Sequence, residues 1–531
     1  MHHARFATCR MGSTIVLALA VSTTGPWAQE AVEPIVSDAT AVCLVCHGPG
    51  GTGLAAGAPA IAQQWTGSAH ATVGVGCAEC HVVPKPGTGR DIGNPRYVVD
   101  TQWDRATGLK SVALVADDGK PRERPDLWAH QGAEVVVNVS PRTCATCHEA
   151  EAREFHGSRH ASAAQFVGSI DNFLGRYAEG PAAAISGCQQ CHGSEVRVSR
   201  AADGESPPEY AADTWPNTGM GRVNADGSWG SCTACHSRHA FSPGVARRPD
   251  NCGRCHLGPD HPQAEVYRES KHGIAFRATE ASIGIDRPGL QWVLGKDYSQ
   301  APTCSSCHMG PVAARGQSPG LPMTHNAGAR IAWTLRPEVS VKPGAITEPD
   351  GRVVLSGPEQ RRADMTTACQ ACHAPSWASN FFIQLDNAVD LYNGKYGRPA
   401  KAIYAHLKAR GAIDAVPMNE AADYIYFELW HHEGRRARHG AAMMGPDYVQ
   451  WHGFYELSKR FYAEFLPLAR ELGVNAGAGE DMVGFIDATL RGTEGQDWER
   501  YHAWTEGLSP EQSQRLLELE REAYGSSAGT P

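Results

Sequence analysis

Sixteen of the 17 cysteines in this 531-residue chain fall into eight copies of one pattern, Cys-x-x-Cys-His. The copies are Cys43–His47, Cys77–His81, Cys144–His148, Cys188–His192, Cys232–His236, Cys252–His256, Cys304–His308 and Cys369–His373. The second thiols are Cys46, Cys80, Cys147, Cys191, Cys235, Cys255, Cys307 and Cys372. This is the attachment signature of c-type heme. The two thiols add to the two vinyl groups of one porphyrin, and the histidine that follows reaches the iron from the same side. Zinc would need paired units supplying four N/S ligands, and neither zinc nor a disulfide framework explains a histidine after every pair. The pattern predicts eight covalent c-type hemes, each with its motif histidine as one axial iron ligand.

So much cofactor limits what the rest of the chain must do. Only 42% of residues are apolar, and there is a motif for about every 66 residues. The porphyrins are therefore expected to form much of the core. First cysteines are spaced 34, 67, 44, 44, 20, 52 and 65 residues apart, which argues against a tandem array. The last 158 residues hold no cysteine. Residues 29–376 thus read as an octaheme-binding body and 377–531 as a C-terminal helical segment. The fold class is mainly α: a multiheme cytochrome c with a porphyrin core and long C-terminal helices.

Apolar residues recur at three- and four-residue intervals from about Trp377 to Leu407, Glu420 to Arg438, Asp447 to Leu472 and Pro510 to Ala523, which predicts amphipathic helices. In the body, Val112–Val115 and Val135–Val139 suggest a hairpin between Asp91 and Val139. Val353–Leu355 suggests a strand, and Arg200–Gly230 reads as a loop.

The first 28 residues read as a signal peptide: His2, His3, Arg5 and Arg10, then an apolar run from Ile15 to Val21, then Pro26-Trp27-Ala28. Cys9 precedes the apolar run, contrary to a lipid anchor. The expected location is the periplasm, where c-type heme is attached. No later stretch reaches the roughly 20 apolar residues of a membrane span. A net charge of −9, deepened by heme propionates, excludes nucleic acid as a partner and fits a basic cytochrome or similar acceptor carrier guided by complementary charge.

Fourteen histidines lie outside the motifs and the leader. Electron-transfer hemes take a second strong axial ligand, whereas a catalytic heme keeps a site open. His70, His160 and His272 follow similar small-residue and serine settings and are candidate distal ligands. His130 and His325 lie in loops with no other evident purpose. His239 shares a helical face with His236 three residues before it, so it is expected to serve a neighbouring heme. His156 is a weaker candidate.

Taken together, the eight sites and several longer runs resemble the hydroxylamine oxidoreductase family of octaheme cytochromes, which includes hydrazine dehydrogenases and octaheme nitrite reductases. The runs are Cys232-Thr-Ala-Cys-His-Ser-Arg-His239 and Cys252-Gly-Arg-Cys-His-Leu-Gly-Pro-Asp-His261, the latter leading to Ser270-Lys-His-Gly273. Gly434-Arg-Arg-Ala-Arg-His-Gly440 and Pro446-Asp-Tyr-Val-Gln-Trp-His-Gly453 complete them.

The resemblance implies that the fourth heme, on Cys188, Cys191 and His192, is catalytic and open above the iron. It also implies a homotrimer in which a tyrosine of an adjacent subunit bonds to that porphyrin. Tyr448 matches it, with Tyr455 and Tyr462 as fallback positions. Asp260 and His261 match an Asp-His pair over the iron. A base there lowers the barrier to removing protons with electrons, and a neighbouring carboxylate is expected to raise the proton affinity of His261. His261 as a distal ligand to another heme is the competing assignment.

The implied activity is oxidation of hydroxylamine to nitric oxide or nitrite. Hydrazine oxidation, reduction of nitrite or hydroxylamine to ammonium, and a non-catalytic electron conduit are the alternatives. The family's reductive members lack the crosslinking tyrosine, so Tyr448 argues for the oxidising branch.

Overall fold

A computed structural model describes residues 33–49, 58–83, 97–103, 110–116, 124–166, 174–203, 206–287, 291–316, 318–347, 353–491 and 509–524. The expected signal peptide and Cys9 lie outside the described residues.

Local spacing explains how the motifs are presented. Residues i, i+3 and i+4 of a helix share a face, so a single turn sets both thiols and the histidine side by side. Such turns run over Cys77–His81, Cys188–His192 and Cys304–His308, and the first motif ends the helix Asp38–His47. Ser37 caps that helix, its hydroxyl accepting from the Thr40 N–H. Strands are few and short. Tyr97–Trp103 pairs antiparallel with Lys110–Ala116, and Leu127–His130 with Ala133–Val136, so the expected hairpin is in fact two. Val353–Leu355 pairs with Ile346–Thr347, and Glu209–Tyr210 pairs back onto Val198–Ser199 within the expected loop.

The C-terminal helices occupy the expected regions but are interrupted. Pro375–Tyr392 passes through a π-helical turn, Asn393–Gly397, into Arg398–Ala409. Another π turn, Arg460–Phe465, precedes Leu466–Asn475. Pro399 and Pro467 sit just after these turns. A proline within a continuing helix lacks its N–H and crowds the preceding carbonyl, and a widened turn absorbs both effects. A further π turn, Leu429–Glu433, links Ala421–Glu428 to Gly434–Met443. Helix Gly479–Arg491 is an addition that the sequence periodicity did not reveal.

These helices make their own core from Tyr392, Ile403, Leu407, Leu429, Leu457, Phe461 and Phe465, all essentially buried. The body is built differently. A continuous cavity of about 3990 Å³ runs through it, lined by every motif cysteine except Cys188 and Cys372. The volume an ordinary domain fills with side chains is here bounded by thiols and imidazoles. Among the described residues no helix is long and apolar enough to cross a membrane.

Two fully buried arginines tie the layers together. Arg438 donates to the carbonyls of Gly434 (2.8 Å) and Pro337 (2.9 Å) and to Ser340 Oγ (2.7 Å), with its guanidinium 3.8 Å from the Tyr392 ring. Arg361 donates to the carbonyls of Ile331, Ser356 and Pro343. Together they bind the irregular 331–343 segment to the helices. Gly453 allows the helix Gly434–Met443 to approach closely, since a Cβ there would lie 2.7 Å from Ala437 Cα.

Replacing Arg438 with alanine strands several buried carbonyls. It should cost the holoprotein about 3 kcal/mol or more, and lysine, lacking the planar fork, should not restore it. Thermal or denaturant unfolding followed by far-UV circular dichroism measures both.

Candidate heme and active site

Two metal–imidazole bonds of about 2.0 Å each, with the ring radii added, separate the centroids of trans imidazoles by roughly 6.3 Å. Six motif histidines face a second histidine near this spacing. His47 faces His130 at 6.4 Å, His81 faces His239 at 6.5 Å, and His148 faces His70 at 6.1 Å. His236 faces His325 at 6.4 Å, His256 faces His160 at 5.9 Å, and His373 faces His272 at 6.1 Å. All six second rings are those singled out as candidate distal ligands. His239 lies opposite His81 and not its near neighbour His236. His156 stays apart, its ring beside Trp229 and its Nε2 buried without a partner.

Burial pushes His70, His81, His239, His272 and His325 below their ordinary pKa, His256 well below it, and His160 and His236 to about 4. The neutral ring that results is the form that binds a metal. The second ring nitrogen of His81 is taken by the Val136 carbonyl at 2.7 Å, which fixes the tautomer. Ring spacing, neutrality and a thiol-lined cavity together fit iron porphyrins.

The thiols also show which attachment sites are neighbours. Cys144 contacts Cys232, Cys191 contacts Cys255, and Cys252 contacts Cys304. Cys307 lies within electrostatic reach of Cys369 and Cys372, Cys235 of Cys252 and Cys255, Cys80 of Cys144 and Cys147, and Cys77 of Cys43. The sixth motif therefore borders the fourth, fifth and seventh.

Asp260 and His261 lie on the loop leaving that sixth motif, and both line the cavity. Gly258, at φ +95°, turns the chain there. His261 Nδ1 is 2.7 Å from the Leu257 carbonyl and 3.2 Å from Asp260 Oδ1. This leaves Nε2 as the nitrogen free to act. Asp260 raises the proton affinity of His261 as expected, but burial outweighs the carboxylate and pushes the imidazole down to about 4. His261 also lies 6.0 Å from His256, so His256 has rings of both His160 and His261 around it.

Sequence reasoning assigned no role to the groups across from this pair. Arg435 Nη1 lies 3.3 Å from Asp260 Oδ2, and Arg336 Nη2 lies 3.3 Å from His256 Nδ1. His439 is buried, with Nε2 3.4 Å from the Gln263 amide. The available signal was the run Gly434–Gly440, where Arg435, Arg438 and His439 share one helical face.

Tyr448 is half-buried at the start of a helix over Pro446–Val449, its ring 5.5 Å from His452. His452 is held between Asp447 (3.4 Å) and Glu456 (3.0 Å). Trp451 and Tyr455 nearby are 57% and 54% exposed, whereas Tyr462 packs against Tyr396 and Phe461 in the helical core.

Residues 219–419 match the family model described as seven times multi-haem cytochrome CxxCH, and residues 143–214 match that for cytochrome c554 and c-prime. The chain is a multiheme c-type cytochrome. This cytochrome is 27% identical over 318 residues to a probable nitrite reductase-hydroxylamine oxidoreductase fusion protein of Kuenenia stuttgartiensis. The match takes in 55% of the cytochrome but only 35% of that protein, so the relationship to such proteins is distant and spans about a third of the relative. A solved hypothetical multiheme protein shares the fold, with a TM-score of 0.62 at 23% identity over 84% of this chain and 98% of that one. A reducing HAO-like protein complex of Kuenenia stuttgartiensis gives 0.48 at 18% identity, over 85% and 90%.

Replacing His239 with alanine is expected to leave the heme content unchanged and convert one low-spin iron to a form that binds cyanide. Electron paramagnetic resonance and cyanide titration read this. An unchanged spectrum would remove the opposed-ring assignment.

Proposed function

We propose that this cytochrome carries eight c-type hemes and oxidises hydroxylamine at the one on Cys188, Cys191 and His192. The observation that carries the reading is the placement of the Asp260–His261 loop. It leaves the sixth motif, whose Cys255 contacts Cys191 of the fourth, and this supports assigning its Asp-His pair to the fourth heme. When bound, the open heme iron supplies a site for the substrate nitrogen and an outlet for its electrons one at a time.

Asp260 and His261 receive the protons. Conversion of hydroxylamine to nitric oxide releases three protons with three electrons, and conversion to nitrite with a water releases five protons with four electrons. A histidine pushed down to about 4 by burial is unprotonated at neutral pH, which suits acceptance of a proton. A reductive reaction would need a donor instead. Arg435 holds Asp260 in place from the facing helix. His160 is assigned as the second ligand opposite His256, leaving His261 for the substrate. His70, His130, His239, His272 and His325 complete the other pairs, and the remaining hemes pass electrons to an acceptor carrier.

Tyr448 of an adjacent subunit is assigned the covalent link to the catalytic porphyrin, within a homotrimer. Its half-buried place beside exposed Trp451 and Tyr455 supports a subunit contact there.

The deciding measurement is the denatured mass of the holoprotein with peptide mapping around Tyr448. A covalent multimer with one heme bridging the Cys188 and Tyr448 peptides is expected. A monomer carrying eight hemes would remove the link and turn the reading toward nitrite reduction or electron transfer. Replacing Asp260 with asparagine should lower hydroxylamine turnover by about 10²–10⁴ with the visible spectrum preserved. Undiminished turnover would sink the proton-accepting role.

A further inference from the structure

The thiol contacts arrange the attachment sites as a branched path with the sixth at its junction. One branch runs through the seventh motif to the eighth, where Cys307 lies in reach of Cys369 and Cys372. This end differs from the rest of the body. Cys372 is exposed, and neither it nor His373 lines the central cavity. Trp377 lies face to face with His373, with centroids 3.9 Å apart and planes 12° apart, and Phe381 continues the stack at 5.8 Å and 11°. Trp377 is 41% exposed yet lines no part of the cavity, so an indole at the outer surface rests on an iron-ligating ring.

The surroundings have a definite charge pattern. From Ala371 to Leu385 no residue is charged, in a chain where 20% are. Cations stand at its edge, and Asp386, which ends the run, is paired with Arg362 and Lys342. Arg315 donates to the carbonyls of Gln370 (3.1 Å) and Ala371 (3.0 Å) and is the charged group acting on Cys372. Lys296 is exposed on a turn that touches the motif twice: Gly295 packs on Ala371, and the Ser299 carbonyl lies 3.5 Å from Cys372 Sγ. Asp297 on the same turn is half-buried, its carboxylate accepting from the Val293 N–H at 2.7 Å, so Lys296 is the more exposed of the two charges.

We propose that the Trp377 face is an electron port that docks a small one-electron carrier whose exposed redox edge is ringed by carboxylates. The proposal rests on the reading that the eighth motif holds a heme. An uncharged centre with an exposed aromatic anchor and a charged rim is the anatomy of a protein contact. Cations beside it steer an acidic partner despite the overall negative charge. A second copy fits poorly, because a two-fold contact would set the patch and its cations against themselves. The step is a single electron passing from the reduced eighth site to the oxidised carrier. No bond is made and no proton moves.

Stopped-flow oxidation of the reduced holoprotein tests this, using an acidic small c-type cytochrome and a basic one. With the acidic carrier the second-order rate should fall by about tenfold between low and physiological salt. Lys296→Glu should slow it by a similar factor, and Trp377→Asp by more, with spectra and sedimentation unchanged. Rates untouched by both variants, or faster oxidation by the basic carrier, would overturn the port. So would a Trp377→Asp chain that sediments as a smaller assembly, since the face would then belong to a second copy. Mass mapping of the Cys369–Cys372 peptide decides the underlying reading separately: a peptide without heme removes that reading, and the port with it.

Discussion

The body of this protein depends on opposed pairs of histidine rings held apart by the width of an iron porphyrin. Each pair joins remote parts of the chain; His81 and His239 are 158 residues apart in sequence. On the ligation proposed above, each iron closes a loop that chain entropy alone would leave open, and metal binding becomes part of folding. This accounts for the modest apolar content. Beside a smaller apolar cluster around Phe276, Trp292, Leu294 and Tyr298, this body keeps a large thiol-lined cavity, whereas the C-terminal helices build the larger conventional core.

The two constructions meet along the 331–343 segment. Arg361 and Arg438 satisfy its carbonyls from the helix side, which an uncharged side chain could not do. The segment thereby presents Arg336 to His256, and the helix that carries Arg438 presents Arg435 to Asp260. The polar groups around the candidate reaction site are thus fixed by the helical core and only indirectly by the heme body. This also explains why a π turn, Leu429–Glu433, leads into that helix, for such turns recur at functional sites.

How much was readable in advance followed how local each feature is. Each motif is a turn of helix whose chemistry lies within five residues, so attachment could be read directly. Six histidines picked from their small-residue or loop settings all face a motif ring, yet which ring each faces depends on tertiary packing and left no trace in spacing. Long helices were visible through periodicity, but the widened turns before Pro399 and Pro467 were not, because the amphipathic pattern continues through them. The ionisation of His261 was only half legible, for a physical reason. Its neighbour Asp260 is evident from sequence, whereas the burial that outweighs it is not. Arg435 was in plain view within a basic run, but nothing local tied that run to residues some 175 positions earlier.

Fold alone does not decide the direction of the chemistry. A hypothetical multiheme protein shares this architecture at 23% identity, and the relative from Kuenenia stuttgartiensis carries both a reductase and an oxidoreductase in its name. Direction depends on whether the groups beside the substrate take protons or give them, and on where electrons can leave. Here the first is governed by desolvation of one imidazole. The second is governed by the branching at the sixth motif, which borders the fourth and leads onward through both the fifth and the seventh. Electrons entering at such a junction have two ways out, so a carrier at one end need not wait for the other. On the proposed reading, that geometry would let several electrons leave one bound molecule in succession.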